Sequence, residues 1–311
     1  MCRLGGVVLT QRPRTLDKYT QITEDLLGLL VKMEDALGGD GNGLSFHYPN
    51  GEYRIIKDHR KVNRLFGKFE EIRQNLIDGA VIVQMHSRLS TGGDSKYHEN
   101  LHPFTHEPII GCHNGQVEDM HIWDDLARLN MKPYSVVDSE AIFASLSAFS
   151  NTLRPKQVQY TIDDLWGTYA ITAVSQKKPN MLFMMRQENP LCYWNNRKEG
   201  EIWYASTSDL FPETLGIPEK TVKKTYKYGK NKGKTYKSTE RDVVKLHEGD
   251  GVYFRATKRR VSIEKTEFDV WAGYSYQRTA YGWGNYQYED DYNFWDDDLQ
   301  DIADKYEGNA K

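Results

Sequence analysis

The sequence has few cysteines, and none of them belongs to a paired motif. Only three occur in 311 residues, Cys2, Cys112 and Cys192, and there is no C-x-x-C pair. This scarcity argues against a disulfide framework and against a zinc site. One of the three can be a reactive group, and the other two are expected to be small buried hydrophobic residues.

Long apolar runs and an excess of one charge are also missing. A membrane span needs about eighteen consecutive apolar residues, and no stretch of the sequence comes close to that length. Residues 1–6 also lack the apolar run of a secretory signal. The formal net charge is −3, with 39% hydrophobic and 27% charged residues, so no global positive charge indicates nucleic acid or membrane as a partner. We therefore expect a cytoplasmic protein with no membrane partner and no direct nucleic-acid binding.

The length of the chain fits one large domain with an appendage better than it fits two equal halves. Residues 220–241 are rich in lysine and punctuated by glycine, which predicts a loop or a mobile hairpin. From about residue 263 onward, tyrosine, tryptophan and acidic residues accumulate. Residues 263–311 are therefore predicted to be a C-terminal tail, either a separate interaction segment or a partly disordered end.

The rest of the chain alternates short strands with a few helices. The β-branched run at residues 3–10 predicts a strand buried on both faces, and apolar spacing predicts an amphipathic helix at about 20–37. Residues 80–85 and 109–112 are predicted strands that end in polar segments, and residues 138–149 have helical spacing. This pattern predicts layered sheets covered by helices.

Cys2 is the first candidate for chemistry because of its position. Methionine before a small residue is normally removed, which would leave Cys2 with a free α-amino group. The reference pKa of that amine is about 7.7 to 8.0, and the reference pKa of a thiol is about 8.5. Because the two values are close, the amine can accept the thiol proton. Nucleophile and base would then share one residue. Taken alone, a cysteine at position two is weak evidence and is more simply an incidental residue.

Three ordered motifs strengthen the case for Cys2. They are HSRLSTGG at residues 86–93, NLHPF at 100–104 and HNG at 113–115. In this order they resemble the class II glutamine amidotransferase family, whose pattern is H-x-R-x-x-T-x-G, then N-x-H-P-F, then a strand ending in H-N-G. Three such motifs behind a terminal cysteine are far more specific than any one of them.

The resemblance covers about residues 2–262, which we predict to be one amidotransferase domain. Within it, DSE at residues 138–140 matches the family's D-[ST]-E at the start of a helix, and Gly38–Gly43 is similar to its glycine-rich turn. The family has the Ntn-hydrolase fold, an α+β, four-layered α/β/β/α sandwich of two mainly antiparallel sheets. The resemblance therefore implies this fold, with Cys2 at a sheet edge facing the pocket.

The matched residues include a set suited to binding free glutamine. Arg88 can hold the α-carboxylate with two hydrogen bonds, and Asp138 can neutralise the α-ammonium. His86 and Thr91 are expected to shape the pocket. Considered singly, Arg88 is more often a surface ion-pair partner and Asp138 a helix N-cap.

A second set suits the reaction itself. Attack of Cys2 on the side-chain amide creates a tetrahedral oxyanion, which needs preset hydrogen-bond donors. The side-chain amide of Asn114 and the backbone N–H of Gly115 are suited to this role, as they are in the family. Considered alone, Asn-Gly is most often a turn.

The function implied by the resemblance is a glutaminase that works through a Cys2 thioester, with no metal or organic cofactor. Family members usually pass the ammonia to a synthase, and we expect a separate synthase subunit as the acceptor. Two alternatives stay open. The chain could be an Ntn amidohydrolase acting on γ-glutamyl or other amides, or a catalytically inactive scaffold of the same fold.

Overall fold

Two antiparallel β-sheets dominate the computed structural model, which describes residues 2–90, 92–225 and 233–270. The strands are β1 (Arg3–Leu9), β2 (Asn42–His47), β3 (Tyr53–Asp58), β4 (Ile82–Ser87), β5 (Phe104–His106), β6 (Ile109–Glu118), β7 (Trp166–Ser175), β8 (Met181–Gln187), β9 (Cys192–Asn196), β10 (Glu201–Ala205), β11 (Glu219–Thr225), β12 (Thr235–Arg241), β13 (Val244–Lys245), β14 (Asp250–Ala256) and β15 (Val261–Glu267). The α-helices are α1 (Leu16–Leu37), α2 (Asn63–Phe66), α3 (Phe69–Ile77), α4 (Met120–Ala127), α5 (Ser139–Phe149) and α6 (Pro155–Asp163). None of the described helices combines the length and apolar character that crossing a membrane requires.

The first sheet has seven strands in the order β13-β9-β10-β1-β4-β2-β3. Its strand β1 pairs with β4 on one side and with β10 on the other. A strand that is apolar on both faces is typical of the middle of a covered sheet, so the sequence signal for β1 was sound. The expectation that Cys2 lies at a sheet edge is wrong, because Cys2 directly precedes a central strand.

The second sheet has six strands in the order β15-β14-β8-β7-β6-β5. Strand β6 is longer than predicted, because it continues through His113, Asn114 and Gly115 instead of ending at Cys112. Strand β7 pairs with it along the whole length, from Ile109 opposite Ser175 to Glu118 opposite Trp166. The polar residues therefore stay in the ladder and face defined neighbours.

Three apolar clusters show that the two sheets and the helices form four layers. One cluster joins α1 and α3 to the first sheet, another joins α4, α5 and α6 to the second sheet, and the third lies between the sheets. Alternation along β1 illustrates the arrangement, since Val7 and Leu9 face α1 whereas Leu4 and Val8 face the other sheet. The order of layers is therefore α/β/β/α.

Helix α1 supplies most of the outer cover of the first sheet. It begins at Leu16, four residues earlier than predicted, because the hydroxyl of Thr15 accepts a hydrogen bond from the backbone N–H of Lys18 at 3.3 Å. Gly5 on β1 lets the helix approach closely, since a Cβ there would lie 2.9 Å from the Met33 sulfur. The helix is thereby packed over the strand that follows Cys2.

Two segments at the C-terminal side complete the described part. Strands β11 and β12 pair from Glu219 opposite Arg241 to Thr225 opposite Thr235, so the described parts of the lysine-rich stretch form an antiparallel pair of strands. Strand β15 runs past the domain boundary predicted at residue 262, and Phe268 after it is buried. Residues 226–232 and 271–311 lie outside the described residues, and with them most of the predicted tail.

Candidate active site

Cys2 lies against the backbone of Leu89, just beyond the end of β4. The thiol Sγ is 3.4 Å from the carbonyl oxygen of Leu89 and 3.4 Å from its backbone nitrogen. Burial raises the pKa of this partly exposed thiol, whereas the Leu89 backbone and the positive charge of Arg88 lower it and the Asp138 carboxylate raises it. Arg88 and Asp138 are therefore both close enough to Cys2 to act on its ionisation.

Arg88 is 3% exposed, and hydrogen bonds fix its side chain inside its own loop. Nη1 donates to the Ser95 hydroxyl at 2.7 Å, and Nη2 donates to the carbonyl oxygens of Gly92 and Gly93. A guanidinium has five N–H donors, so these bonds set its orientation without using every donor. Burial lowers the pKa of Arg88, and the nearby charges of Cys2 and Asp138 oppose that change. Thr91, predicted to shape the same pocket, lies outside the described residues.

The glycine-rich turn at Gly38–Gly43 packs against the Arg88 loop. The backbone N–H of Arg88 donates to the carbonyl oxygen of Gly41 at 2.8 Å, and that of Asp40 donates to the Arg88 carbonyl at 3.0 Å. The Asp40 carboxylate also accepts a hydrogen bond of 2.7 Å from the Ser90 N–H. The turn that resembles the family's pattern thus supports the backbone on both sides of Leu89.

Asn114 is fully buried on β6, yet its side chain has no hydrogen-bond partner among the described residues. Both the amide nitrogen and the amide oxygen are unpaired. A buried polar group left unpaired costs about 1–3 kcal/mol, so side chains of this kind are normally satisfied by a ligand or by water. The Asn114 amide is therefore an available buried donor on β6.

Gly115 occupies a backbone conformation that a residue with a side chain rarely adopts. Its φ angle is +151°, and a Cβ at this position would overlap the carbonyl oxygen of Thr168 on β7. Glycine is thus required beside Asn114 for the strand to keep its course.

His86 and Ser139 hold His113, the residue before Asn114, from two directions. The His86 ring nitrogen Nε2 lies 3.0 Å from the carbonyl oxygen of His113, and the His113 Nδ1 lies 2.8 Å from the Ser139 hydroxyl. Burial lowers the pKa of His86 to about 3, so the ring is neutral, and because a carbonyl only accepts, Nε2 donates. His86 therefore connects β4 of the first sheet to β6 of the second.

Asp138 caps helix α5 and contacts β6 as well. Its Oδ1 accepts from the backbone N–H of Ser139 at 2.8 Å, and its Oδ2 accepts from that of Val117 at 2.8 Å. The carboxylate is only half-buried. The plain interpretation as an N-cap is thus correct, and it is compatible with a second role beside Cys2.

The sequence argument missed two contributors to this geometry. Ser139 belongs to the quoted D-[ST]-E match, so the motif itself contained the signal, but only Asp138 was assigned a role. Leu89 acts on Cys2 through its backbone, and no side-chain pattern could have indicated that. Within the described ranges, no group of three His, Cys, Asp or Glu side chains is arranged to hold a metal ion.

Known proteins resemble parts of the chain. No protein-family model matches it. The chain is 23% identical over 215 residues to 7-cyano-7-deazaguanine synthase 2 of Sulfurisphaera tokodaii, which covers 68% of this chain and 44% of that protein. It is 32% identical over 150 residues to the isomerizing glutamine–fructose-6-phosphate aminotransferase of Methanocaldococcus jannaschii, covering 45% of this chain and 14% of that protein.

A solved structure shares the same arrangement of sheets. Glutamine phosphoribosylpyrophosphate amidotransferase from B. subtilis superposes with a TM-score of 0.57 at 14% identity, covering 86% of this chain and 50% of that chain. At this level of identity the likeness shows the fold. The chain spans less than half the length of the relatives that it matches in sequence.

Proposed function

We propose that the chain is a class II glutamine amidotransferase, an N-terminal-nucleophile hydrolase that hydrolyses the side-chain amide of glutamine to glutamate and ammonia; its fold and its partial sequence similarity to glutamine-dependent enzymes support this proposal. Its fold is the predicted α+β sandwich of two antiparallel sheets, so that prediction is confirmed. The observation that carries the proposal is the assembly around Cys2, whose Sγ lies 3.4 Å from the backbone of Leu89, the residue that follows the buried Arg88.

Free glutamine carries two charged groups that complement the charges of Arg88 and Asp138. Its α-carboxylate suits the remaining donors of Arg88, and its α-ammonium suits the half-buried carboxylate of Asp138. Because the donors of Arg88 are already oriented by its own loop, little order is lost when a carboxylate binds. The side-chain amide of the substrate would then extend toward the Cys2 thiol.

The reaction proceeds through a thioester, and it requires that Cys2 be the first residue of the mature chain. The α-amino group of Cys2 takes the thiol proton, and the thiolate attacks the amide carbon to form a tetrahedral oxyanion. Collapse breaks the carbon–nitrogen bond as the α-ammonium returns the proton, so ammonia leaves and a γ-glutamyl thioester remains. Water then cleaves the thioester, which releases glutamate and restores the thiol.

Asn114 and Gly115 are the proposed donors to the oxyanion. The amide of Asn114 is buried and unpaired. This is the condition expected of a donor that binds the oxyanion only when negative charge forms in the tetrahedral intermediate. His113 and the contacts that hold it fix the position of this pair relative to both sheets.

We further propose that the ammonia passes to a separate synthase subunit in the cytoplasm. The relatives in the comparison are named as a synthase and as an aminotransferase, and each is more than twice as long as the stretch that this chain matches. An acceptor-activating reaction on another polypeptide would consume the ammonia formed here.

The test is release of glutamate and ammonia from glutamine by the wild type and by Cys2→Ala and Cys2→Ser. Both variants are expected to be inactive, whereas Cys192→Ala, which changes a buried cysteine whose pKa burial raises to about 12, should retain activity. Mass spectrometry of the N-terminus checks that Met1 is absent. Activity that survives in Cys2→Ala, or a marked preference for γ-glutamyl conjugates over glutamine, would contradict the proposal.

A further inference from the structure

Three turns meet at the end of β1 that lies away from Cys2, and together they form a surface that we call the basic face. They are residues 10–14 after β1, 197–200 between β9 and β10, and 257–260 between β14 and β15. The first turn donates backbone hydrogen bonds of 3.0 Å and 2.9 Å to the other two. The basic face is therefore one continuous surface, although its parts are far apart in sequence.

The basic face carries six exposed cationic side chains, and none of them forms an ion pair with a carboxylate in the part of the chain that the structure describes. These side chains are Arg12, Arg197, Lys198, Lys258, Arg259 and Arg260. Arg12 donates to the carbonyl oxygens of Lys198 and Glu199, which joins the first and second turns. The basic face is therefore strongly positive, although the formal net charge of the whole chain is −3.

The acidic groups near this surface are already neutralised. Glu201 is buried and pairs with Lys18 at 2.9 Å and with Arg14 at 3.9 Å. Glu199 lies 4.0 Å from the same Lys18. The six exposed cations therefore keep their charge available to an external anion.

A cavity of about 470 Å³ opens within the basic face. Arg197 and Arg260 line it together with Asn195, Ser262, Gly200, the apolar residues Val261 and Ile263, and Glu201, whose carboxylate is paired with Lys18 and Arg14. One guanidinium group can bind two oxygens of the same phosphate. An apolar wall beside the side-chain amide of Asn195 suits a sugar or a base. A carboxylate-rich peptide would satisfy the arginines but would not use the apolar wall.

We propose that the basic face binds the phosphate backbone of a nucleic acid, with one nucleotide entering the cavity between Arg197 and Arg260. The cations are spread over three turns, as the repeated phosphates of a strand require, and they are not gathered in one closed anion site. This site is distinct from the glutaminase site and does not depend on it. It departs from the expectation, drawn from net charge alone, that the protein does not bind nucleic acid directly.

The test is fluorescence anisotropy with short labelled oligonucleotides of mixed sequence, single-stranded and duplex, across a range of salt concentrations. The double variant Arg197→Gln/Arg260→Gln should bind about tenfold more weakly and reduce the slope of log affinity against log salt by about 1.5, since two phosphate contacts are lost. A second pair, Lys258→Gln/Arg259→Gln, tests the open part of the face. Lys61→Gln/Arg64→Gln is the matched control, because both residues are exposed and lie next to β3, at the opposite edge of the first sheet.

Equal weakening in the control pair would overturn the proposal, and so would wild-type binding that does not change with salt. Competition by polyglutamate as effective as competition by unlabelled oligonucleotide would identify an acidic polypeptide as the partner and would also overturn it. Glutamine hydrolysis by the same variants is expected to stay at the wild-type level. A failure of this proposal is therefore distinguishable from a failure of the glutaminase proposal.

Discussion

At the scale of single residues, some buried polar atoms on β4, on β6 and in the segment between them are left unpaired. The hydroxyl of Ser87, both ring nitrogens of His102 and both amide atoms of Asn114 lack partners among the described residues. His102 also stacks on His86 with ring centroids 3.9 Å apart. Since each unpaired group opposes folding, these positions are suited to a polar ligand or to water.

The Asn114 amide gives the sharpest prediction at this scale. Asn114→Ala should lower kcat for glutamine hydrolysis by about a hundred-fold to a thousand-fold, the usual effect of removing an oxyanion donor. The free energy of unfolding should not fall as it does when a hydrogen-bonded asparagine is removed, because the side chain makes no hydrogen bond that folding would lose and its unpaired amide opposes folding. Steady-state kinetics and urea unfolding measure the two effects separately.

Asn75 provides the matched control for that substitution. It is also a buried asparagine, but it accepts from the Tyr48 hydroxyl at 2.7 Å and donates to the Glu71 carbonyl at 2.7 Å. Asn75→Ala should therefore lose about 1–3 kcal/mol of stability and keep its activity. If Asn114→Ala is instead as destabilised as Asn75→Ala, the amide is a structural group and the proposed role is wrong.

At the scale of elements, the sequence predicted those features that depend on local pattern. The start of α5 follows from the Asp138 cap, and the strand β1 follows from its short apolar run, so both were found. The extension of β6 was missed because polar residues suggest a strand end, whereas pairing with β7 keeps them in the sheet. The bond from His86 to His113 joins two sheets, and a linear pattern does not reveal how sheets stack.

Asp138 caps helix α5 and is also proposed to bind the α-ammonium of glutamine. Its substitution should separate these two roles. Asp138→Asn keeps one carbonyl oxygen for capping Ser139 but loses the negative charge and the acceptor for the Val117 N–H, so KM for glutamine should rise about tenfold or more while kcat falls less. Asp138→Ala should in addition lose about 1 kcal/mol of stability with the cap. Kinetics at several glutamine concentrations and thermal unfolding measure these effects.

Asp119, which precedes helix α4, is the control residue for Asp138. It makes no side-chain capping bond. Asp119→Asn and Asp119→Ala should therefore leave KM and stability close to those of the wild type. A change in KM for Asp119→Asn as large as that for Asp138→Asn would show that general charge, and not a specific ammonium contact, controls glutamine binding.

At the scale of the whole molecule, a buried polar network connects the two sheets. Gln84 on β4 accepts from the Thr172 hydroxyl at 2.9 Å and donates to the Ile110 carbonyl at 3.2 Å, both on the second sheet. His47 lies within 2.9 Å of Gln84 and of Ser45. Because these groups are enclosed by apolar layers, any charge that forms among them acts on the stability of the whole sandwich.

This enclosure predicts that the protein loses stability in mild acid. Burial lowers the pKa of His47 and that of His86 to about 3, whereas an unfolded histidine titrates near 6.5. Between these values the unfolded chain binds protons that the folded chain does not, so the free energy of unfolding falls as pH falls below about 6.5. Each such histidine contributes about 1.4 kcal/mol per pH unit in this range, and the contribution is fully present above it.

The substitution His47→Gln tests this account, because glutamine keeps hydrogen-bonding groups at the site and cannot be protonated. The decline of the unfolding free energy between pH 6.5 and 5 should become shallower by about 1.4 kcal/mol per pH unit, whatever the stability at neutral pH. Exposed His59 is the control, and His59→Gln should leave the decline unchanged. Urea unfolding at several pH values measures the slopes directly, and equal slopes for wild type and His47→Gln would mean that His47 gains its proton without unfolding.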